Sequence, residues 1–186
     1  AEGVAEKIYP NAKDAKEYLV AFPSFTDPGQ SKILPQASSS GKGYTLTGKL
    51  DYLVLGNFSR WAVIPARVAG RQGYSFFLAD LDDKGVRKSG PVFSLGLHAC
   101  PIVDITLEGV GAQIIGEEGE GEKYFEKASK IMHAAAAAIN AGIMRGSLRE
   151  AIEYTKEREQ GGRPVINWSE VRMLLANMAV KSKAAE

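Results

Sequence analysis

The chain has 186 residues, and its 23 basic and 22 acidic residues leave a formal net charge of +1. No cluster of Lys and Arg breaks this balance, which excludes a nucleic-acid-binding surface. The single cysteine, Cys100, excludes an internal disulfide and fits a reducing compartment, and no apolar run reaches the roughly 18 residues of a membrane helix. We therefore expect a soluble, cytoplasmic protein without a membrane span.

The first half of the chain has the pattern of a β domain. After a lead-in segment over residues 1–17, apolar and β-branched residues form short runs separated by Gly, Asp and Lys. The runs predict strands over residues 44–48, 61–68, 74–80 and 103–110. Their spacing is typical of a barrel or a sandwich. The sequence therefore predicts an antiparallel β-barrel or sandwich over residues 18–116.

The pattern of residues 117–186 is helical. Residues 122–145 contain no Pro and include an alanine run, which favours a first helix. Ser147 and Glu150 have the S-x-x-E spacing of a capping box. We therefore expect a second helix from Ser147 to Glu157, ended by the glycine pair that follows.

A third helical pattern opens at Asn167. Apolar residues recur on one of its faces at i, i+3, i+4 and i+7, namely Val171, Leu174, Leu175 and Met178. Because such a stripe needs a cover, we expect this region to associate with a second copy or a complementary subunit. The predicted fold class is α+β, with a β-barrel or sandwich followed by a partial helical bundle.

A short motif, FTDPG at residues 25–29, lies between an apolar run and a polar stretch. Pro presets φ and Gly accepts the positive φ of a type II turn, so the motif predicts a turn. Two interpretations stay open. The motif is a plain corner, or it is a corner whose Thr26 hydroxyl and backbone N–H groups face a ligand.

Five short motifs occur along the chain in a fixed order. They are FTDPG at 25–29, GYTLTGK at 43–49, GLHACP at 96–101 with the alternating run that follows it, GEEGEG at 116–121, and AIEYTKEREQGGRP at 151–164. In order and spacing they resemble motifs of the acyl-CoA dehydrogenase family. The resemblance covers residues 22–181 and implies the family's middle β-barrel domain and the first part of its C-terminal helical domain. The family's N-terminal domain and late C-terminal helices are expected to be absent from this chain.

The resemblance implies FAD as the cofactor, because the family binds FAD between these two domains. In the family, the Thr of the first motif contacts the polar edge of the flavin ring, which points to Thr26 and its neighbour Phe25. A hydroxyl and an N–H at that edge stabilise the negative charge that builds up on reduction. Tyr52 stands where the family has a Trp beside the ring. The alternative for Thr26 is that it only satisfies the turn.

The resemblance also implies two FAD contacts in the helical region. Arg158 matches an Arg that reaches an FAD phosphate, usually from a neighbouring subunit, where the guanidinium fork suits phosphate oxygens. Gln160 matches a position that contacts FAD across the dimer. The alternative for Arg158 is a solvated side chain that interacts with the helix C-terminus.

Several positions depart from the family pattern. Ser31 and Lys32 stand where Gly-Ser is expected, Val54 replaces a Thr that lines the flavin, and Gly161 replaces a Phe. Abstraction of the substrate α-proton needs a carboxylate base. At the earlier of the family's two positions for this base the chain has Met132, which cannot accept a proton. The chain ends before the later position, so we predict no catalytic residue and no metal ligand.

Three functions follow as hypotheses. The first is a flavoprotein of the acyl-CoA dehydrogenase class, a fragment or split-enzyme subunit that is inactive alone and whose complete form dehydrogenates an acyl-CoA thioester in fatty acid metabolism. The second is a non-catalytic scaffold or assembly subunit that kept the fold and lost the flavin and the base. The third is a module that binds CoA thioesters.

Overall fold

The computed structural model describes residues 19–23, 26–41, 43–92, 95–96 and 98–186. Two compact units divide the chain, residues 1–126 and residues 127–186. The predicted lead-in segment and Phe25 lie outside the described residues. The predicted domain limits remain a prediction.

Seven strands of the described part of the first unit form one sheet. They are β1 Val20–Pro23, β2 Gln36–Ser39, β3 Tyr44–Val54, β4 Trp61–Val68, β5 Ser75–Asp80, β6 Val86–Lys88 and β7 Ile102–Ile115. The four strands predicted from the sequence are all present, and two of them, β3 and β7, are longer than predicted. The three shortest strands, β1, β2 and β6, were not among the predicted ones.

The sheet closes on itself through two short strands. β3 pairs with β7, β7 with β5, and β5 with β4, all antiparallel. β1 and β2 lie one after the other in the space between β3 and β4, and each pairs antiparallel with β3 and parallel with β4. We call the region where β1 and β2 join β3 to β4 the seam. The sheet is mixed at the seam and antiparallel elsewhere.

The seam contains a gap between β1 and β2. β1 pairs with β4 at Trp61 and Ala62, whereas β2 pairs with it at Arg67 and Val68. Pro65 lies between these two pairings and has its partner, Phe76, on β5. A proline fits here because it has no N–H to donate to a ladder on the gap side.

Apolar side chains fill the interior of the closed sheet. Phe77, Leu46, Ile64 and Val110 are completely buried, and Tyr44 packs its ring against that of Phe77 at a centroid distance of 5.0 Å. These side chains come from strands far apart in sequence, so the core forms only when the strands have paired.

The loop before the first helix is held by a polar cluster. The Tyr44 hydroxyl donates to the carboxylate of Glu118, and the Arg71 Nε lies 2.9 Å from the same carboxylate. Both interactions hold the pKa of Glu118 below its ordinary value, the Tyr44 bond more than the Arg71 bond. The Glu118 bond also raises the pKa of Tyr44.

The first helix, α1, runs from Gly121 to Glu157 without a break. At about 1.5 Å per residue its length is about 55 Å. The prediction of a separate helix starting at Ser147 is wrong, because a capping Ser needs a non-helical backbone and the helix continues through this position. Residues 117–186, all of which are described, therefore hold two α-helices and not three, with a short 3₁₀ helix, Val165–Asn167, before the second. The second, α2, spans Ser169–Ala184.

A tight hairpin connects the two helices. Its strands are β8 Glu159–Gln160 and β9 Arg163–Pro164. The turn residues Gly161 and Gly162 have φ values of +64° and +73°. Two successive positive φ values define a type I′ turn, which glycine adopts without strain. The glycine pair was predicted to end a helix and instead forms this turn, since α1 already ends at Glu157.

Neither helix of the described residues combines the length and the apolar character that crossing a membrane requires. The predicted apolar stripe lies on α2, and only part of it is open to solvent. Val171, Leu175 and Met178 are half-buried, whereas the Leu174 side chain is 60% exposed.

Candidate functional site

A groove of about 380 Å³ opens at the seam of the closed sheet, where β1 has ended and β2 has not yet begun. The turn of residues 26–31 forms one wall, and β3 forms the other with Leu50, Asp51 and Tyr52. Pro65 of β4 also lines it. The groove thus results directly from the interruption between the two short strands.

The turn is a short 3₁₀ helix, Pro28–Gln30, capped by Asp27. The Asp27 carboxylate accepts a hydrogen bond from the N–H of Gly29 at 2.8 Å, and the backbone carbonyl of Asp27 accepts one from the N–H of Gln30 at 3.1 Å. The expected type II turn is wrong, because Gly29 does not have a positive φ. Space explains the glycine better, since a Cβ there would lie 3.2 Å from the Asp27 Oδ1 and 3.3 Å from the Tyr74 ring.

Thr26 lines the groove and is exposed. Its side chain has no hydrogen-bond partner within the part of the chain that the structure describes, and Asp27, not Thr26, caps the turn. The hydroxyl is therefore not needed to satisfy the turn. This observation favours a ligand contact over the plain-corner interpretation.

Tyr52 lies opposite, on a bulge of β3. The register of β3 against β7 shifts between Leu50 and Leu53, and Tyr52 has a φ of +60°. Its N–H donates to the Asp104 carboxylate at 2.9 Å, and its side chain is 54% exposed. A left-handed backbone in a bulky residue is strained, and such strain concentrates at functional sites. The bulge thus leaves an open aromatic ring at the groove.

Arg158 and Gln160 line a second groove, of about 910 Å³, in the helical unit. Both side chains are exposed, and the Arg158 guanidinium has no partner among the described residues. The Trp168 ring lies at this groove, and the Arg163 guanidinium stacks on it at 3.8 Å from the centroid. The structure therefore brings Thr26 together with Tyr52, and Arg158 together with Gln160.

Sequence reasoning missed three residues that shape these grooves. They are Tyr74 and Asp104, which bond the two walls of the first groove, and Trp168, which lines the second. Asp104 lies in the alternating run of the third motif but was not assigned a role, and Tyr74 and Trp168 lie outside the five motifs. Met132 is half-buried and His133 exposed on α1, and the described residues contain no group of three or more His, Cys, Asp or Glu side chains that could hold a metal ion.

Comparison with known proteins identifies the family. Residues 119–186 match the family model of the acyl-CoA dehydrogenase C-terminal domain. The caffeyl-CoA reductase–Etf complex subunit CarC of Acetobacterium woodii is 30% identical over 173 residues, which are 88% of this chain and 46% of that protein. The chain belongs to the acyl-CoA dehydrogenase family, and it spans about half the length of the curated relatives that it matches.

Solved structures agree with this assignment. A glutaryl-coenzyme A dehydrogenase in complex with glutaryl-CoA superimposes with a TM-score of 0.77 at 26% identity, over 88% of this chain and 44% of the other. An acyl-CoA dehydrogenase from Bacillus anthracis complexed with FAD shares the fold, with a TM-score of 0.77 at 22% identity over 89% of this chain and 30% of the other. FAD is the cofactor that the resemblance implies.

The residues of the two grooves fit the chemistry of FAD. A planar ring with a polar edge suits a groove that offers an unpartnered hydroxyl at Thr26 and an open aromatic face at Tyr52. A phosphate suits the unpartnered guanidinium of Arg158. Val54 supplies no hydroxyl, which leaves Thr26 as the threonine among the positions carried over from the family.

Proposed function

We propose that this chain is the flavin-holding part of an oxidoreductase of the acyl-CoA dehydrogenase class, which acts on an acyl-CoA thioester. The observation that carries this proposal is the groove at the seam of the sheet. There the Thr26 hydroxyl stands without a partner among the described residues, and Tyr52 is held in a strained, open conformation. Neither feature serves the stability of the sheet.

The residues of the chain would bind and orient the cofactor. FAD, when bound, supplies a hydride acceptor. Thr26 would donate a hydrogen bond to the polar edge of the ring, and Tyr52 would cover part of the ring and exclude water. Arg158, assisted by Gln160, would bind a phosphate as a bidentate donor.

The proton-abstracting base would come from outside the described residues. Met132 has no basic atom, and the His133 side chain is exposed. We therefore propose that the chain acts with a further segment or a complementary subunit. The relative from Acetobacterium woodii is itself named as the subunit of a complex, which supports this proposal.

A flavin titration tests the proposal. FAD added to the 186-residue chain should show a perturbed visible spectrum, and Thr26→Val should weaken binding by about tenfold, as expected for loss of one hydrogen bond. Thr45→Val is a matched control on the same sheet, because Thr45 is outside the groove and donates to Ser38. An unperturbed flavin spectrum, with and without a complementary subunit, would refute the proposal.

We also propose that the helical unit assembles with a second copy or a complementary subunit. Several of its large apolar side chains are open to solvent, including Ile131 at 74% exposure and Leu174 at 60%. Full burial of one such side chain contributes about 1.5–3 kcal/mol before the entropy of association is subtracted. Light scattering should give a mass above the 20.0 kDa of one chain, and a species of one-chain mass at micromolar concentration would contradict this.

The scaffold hypothesis remains the second candidate because of Val54. A flavin site without the hydroxyl at this position is weakened, and Asp51 adds an exposed carboxylate to the groove where negative charge would develop. If FAD fails to bind while the mass exceeds that of one chain, the assembly function is favoured.

We also propose a reducing, cytoplasmic compartment, which the single cysteine, Cys100, fits.

A further inference from the structure

We infer that Tyr74 is a positioning residue of the groove, which sets the location of Thr26 by anchoring the turn through Asp27. This inference rests on the proposed function for its meaning, since the groove is the proposed flavin site. It concerns a residue that no motif marks and that does not itself line the groove.

One oxygen of the Asp27 carboxylate links the turn to the Tyr74 side chain. The Tyr74 hydroxyl donates to Asp27 Oδ1 at 3.0 Å, and the same oxygen accepts the N–H of Gly29 at 2.8 Å. A hydrogen bond to a charged acceptor is stronger than one between neutral groups. The Tyr74 hydroxyl and the backbone of the turn are therefore held at the same point.

The Tyr74 ring is itself immobilised. It is 3% exposed, and it packs edge-on against Phe76 at a centroid distance of 5.4 Å. The first residue of α1, Gly121, donates its N–H to the Tyr74 carbonyl at 2.9 Å, and a Cβ on this glycine would lie only 2.4 Å from the ring. A ring enclosed in this way offers its hydroxyl at one fixed point.

The turn has few other anchors. Among the described residues, two side chains from outside the turn donate hydrogen bonds to residues 26–31. Tyr74 donates to the Asp27 carboxylate at 3.0 Å, next to Thr26, and Arg67 of β4 donates to the Ser31 carbonyl at 3.4 Å, at the far end of the turn. The remaining bonds, from Gly29, Gln30 and Ser31, stay within the turn or reach its immediate neighbours. Without the Tyr74 hydroxyl, Asp27 and the neighbouring Thr26 would lose their anchor, and the local hydrogen bonds that Asp27 accepts would open more often.

The test compares Tyr74→Phe with Tyr44→Phe in the full 186-residue chain. Both variants keep a packed ring and remove one hydroxyl that donates to a carboxylate, but Tyr44 bonds Glu118 and lies outside the groove. The first readout is amide hydrogen exchange of residues 26–31, followed by NMR. We expect Tyr74→Phe to speed this exchange by about tenfold while the amides of β5 and β7 remain unchanged, and Tyr44→Phe to leave the turn unaffected.

The second readout is FAD affinity and the visible flavin spectrum. Tyr74→Phe should weaken binding by about tenfold and shift the spectrum, because the Thr26 hydroxyl is no longer held beside the ring. In an Asp27→Ala background the same substitution should have no further effect, since the two residues act through one bond. An additive effect would overturn the inference.

The outcomes separate this inference from the proposed function. If the wild-type chain binds no FAD, the proposed function fails, and the exchange experiment alone decides the role of Tyr74. If exchange of residues 26–31 in Tyr74→Phe equals that of the wild type, the inference is overturned, even when FAD binds. Faster exchange together with unchanged flavin affinity and spectrum also overturns it, because the turn would then not position a cofactor contact.

Discussion

The closed sheet and the helical unit differ in how they bury apolar side chains. In the sheet, Leu46, Phe77 and Ile64 are completely enclosed. In residues 127–186, all of which the structure describes, Val165 and Ser182 are the only buried residues. Strand pairing brings distant segments face to face and so creates an interior, whereas one long helix and one short helix leave most of their surface open.

This difference assigns different roles to the two units. The sheet can hold the Thr26 groove by itself, because both walls of the groove are hydrogen-bonded to residues of the same unit, Tyr74 and Asp104. The helical unit holds Arg158 and Gln160 on exposed positions beside half-buried apolar residues. We therefore expect the sheet to be stable alone and the helical unit to depend on what covers it.

The largest effect should come from truncating a buried leucine of the sheet, and an exposed leucine of the helical unit serves as the comparison. Leu46→Ala, at a site with 0% exposure, should lower the free energy of unfolding by about 2–5 kcal/mol because it leaves a cavity. Leu174→Ala should change it by less than about 0.5 kcal/mol in a single chain. Urea denaturation monitored by fluorescence measures both.

A large destabilisation by Leu174→Ala that grows with protein concentration would show that a second copy covers this residue. A large destabilisation independent of concentration would contradict the contrast between the units.

The hairpin between the helices should be the next most sensitive position. Gly162 has a φ of +73°, and a Cβ added to it would meet no atom within 4 Å, so Gly162→Ala introduces backbone strain without a steric clash. We expect a loss of about 1–2 kcal/mol, measured by thermal unfolding of the helical signal in circular dichroism. An unchanged midpoint would mean that the hairpin does not contribute to the stability of the unit.

A glycine substitution within α1 should act in the opposite direction. Gly142 lies inside the helix, and a Cβ there would meet no atom within 4 Å. Gly142→Ala should therefore stabilise the helix by about 0.5–1 kcal/mol, seen as a higher midpoint in circular dichroism. A lower midpoint would indicate that a partner approaches α1 closely at this glycine. The helical unit would then be covered in solution and not open.

The smallest effect should be the pH response of the sheet at Glu118. The pKa of this carboxyl is lower in the folded chain than its ordinary value of 4.5. Its stabilising contribution is therefore present above pH 4.5 and is lost as the pH falls through the folded pKa. The difference in unfolding midpoint between the wild type and Glu118→Gln should shrink on acidification, and a difference that grows towards acid would contradict this sign.

Local patterns predicted most of the fold. The four longest strands were found from alternating and β-branched runs, and α2 was found from its apolar spacing. The capping-box pattern failed at Ser147, because nothing in the local sequence reveals that the preceding turn continues as helix. The glycine pair was also misassigned, since two glycines suit a helix end and a type I′ turn equally well.

The motifs led to Thr26, Tyr52, Arg158 and Gln160 but not to the residues that hold them. Tyr74 is 47 positions from Asp27 in the chain, and Asp104 is 52 positions from Tyr52. A short motif reports what its own residues do and carries no information on a partner that arrives from another strand.

The sequence by itself determined the family, the order of the β and helical regions, and the residue types at the two grooves. The tertiary structure decided where the groove opens and what holds it, namely the gap between β1 and β2, the Tyr74 anchor on Asp27 and the strained backbone of Tyr52. The physical reason is that periodicity and turn chemistry act between near neighbours. The register of paired strands alone brings a hydroxyl or a carboxylate from a distant segment to the atom that it bonds.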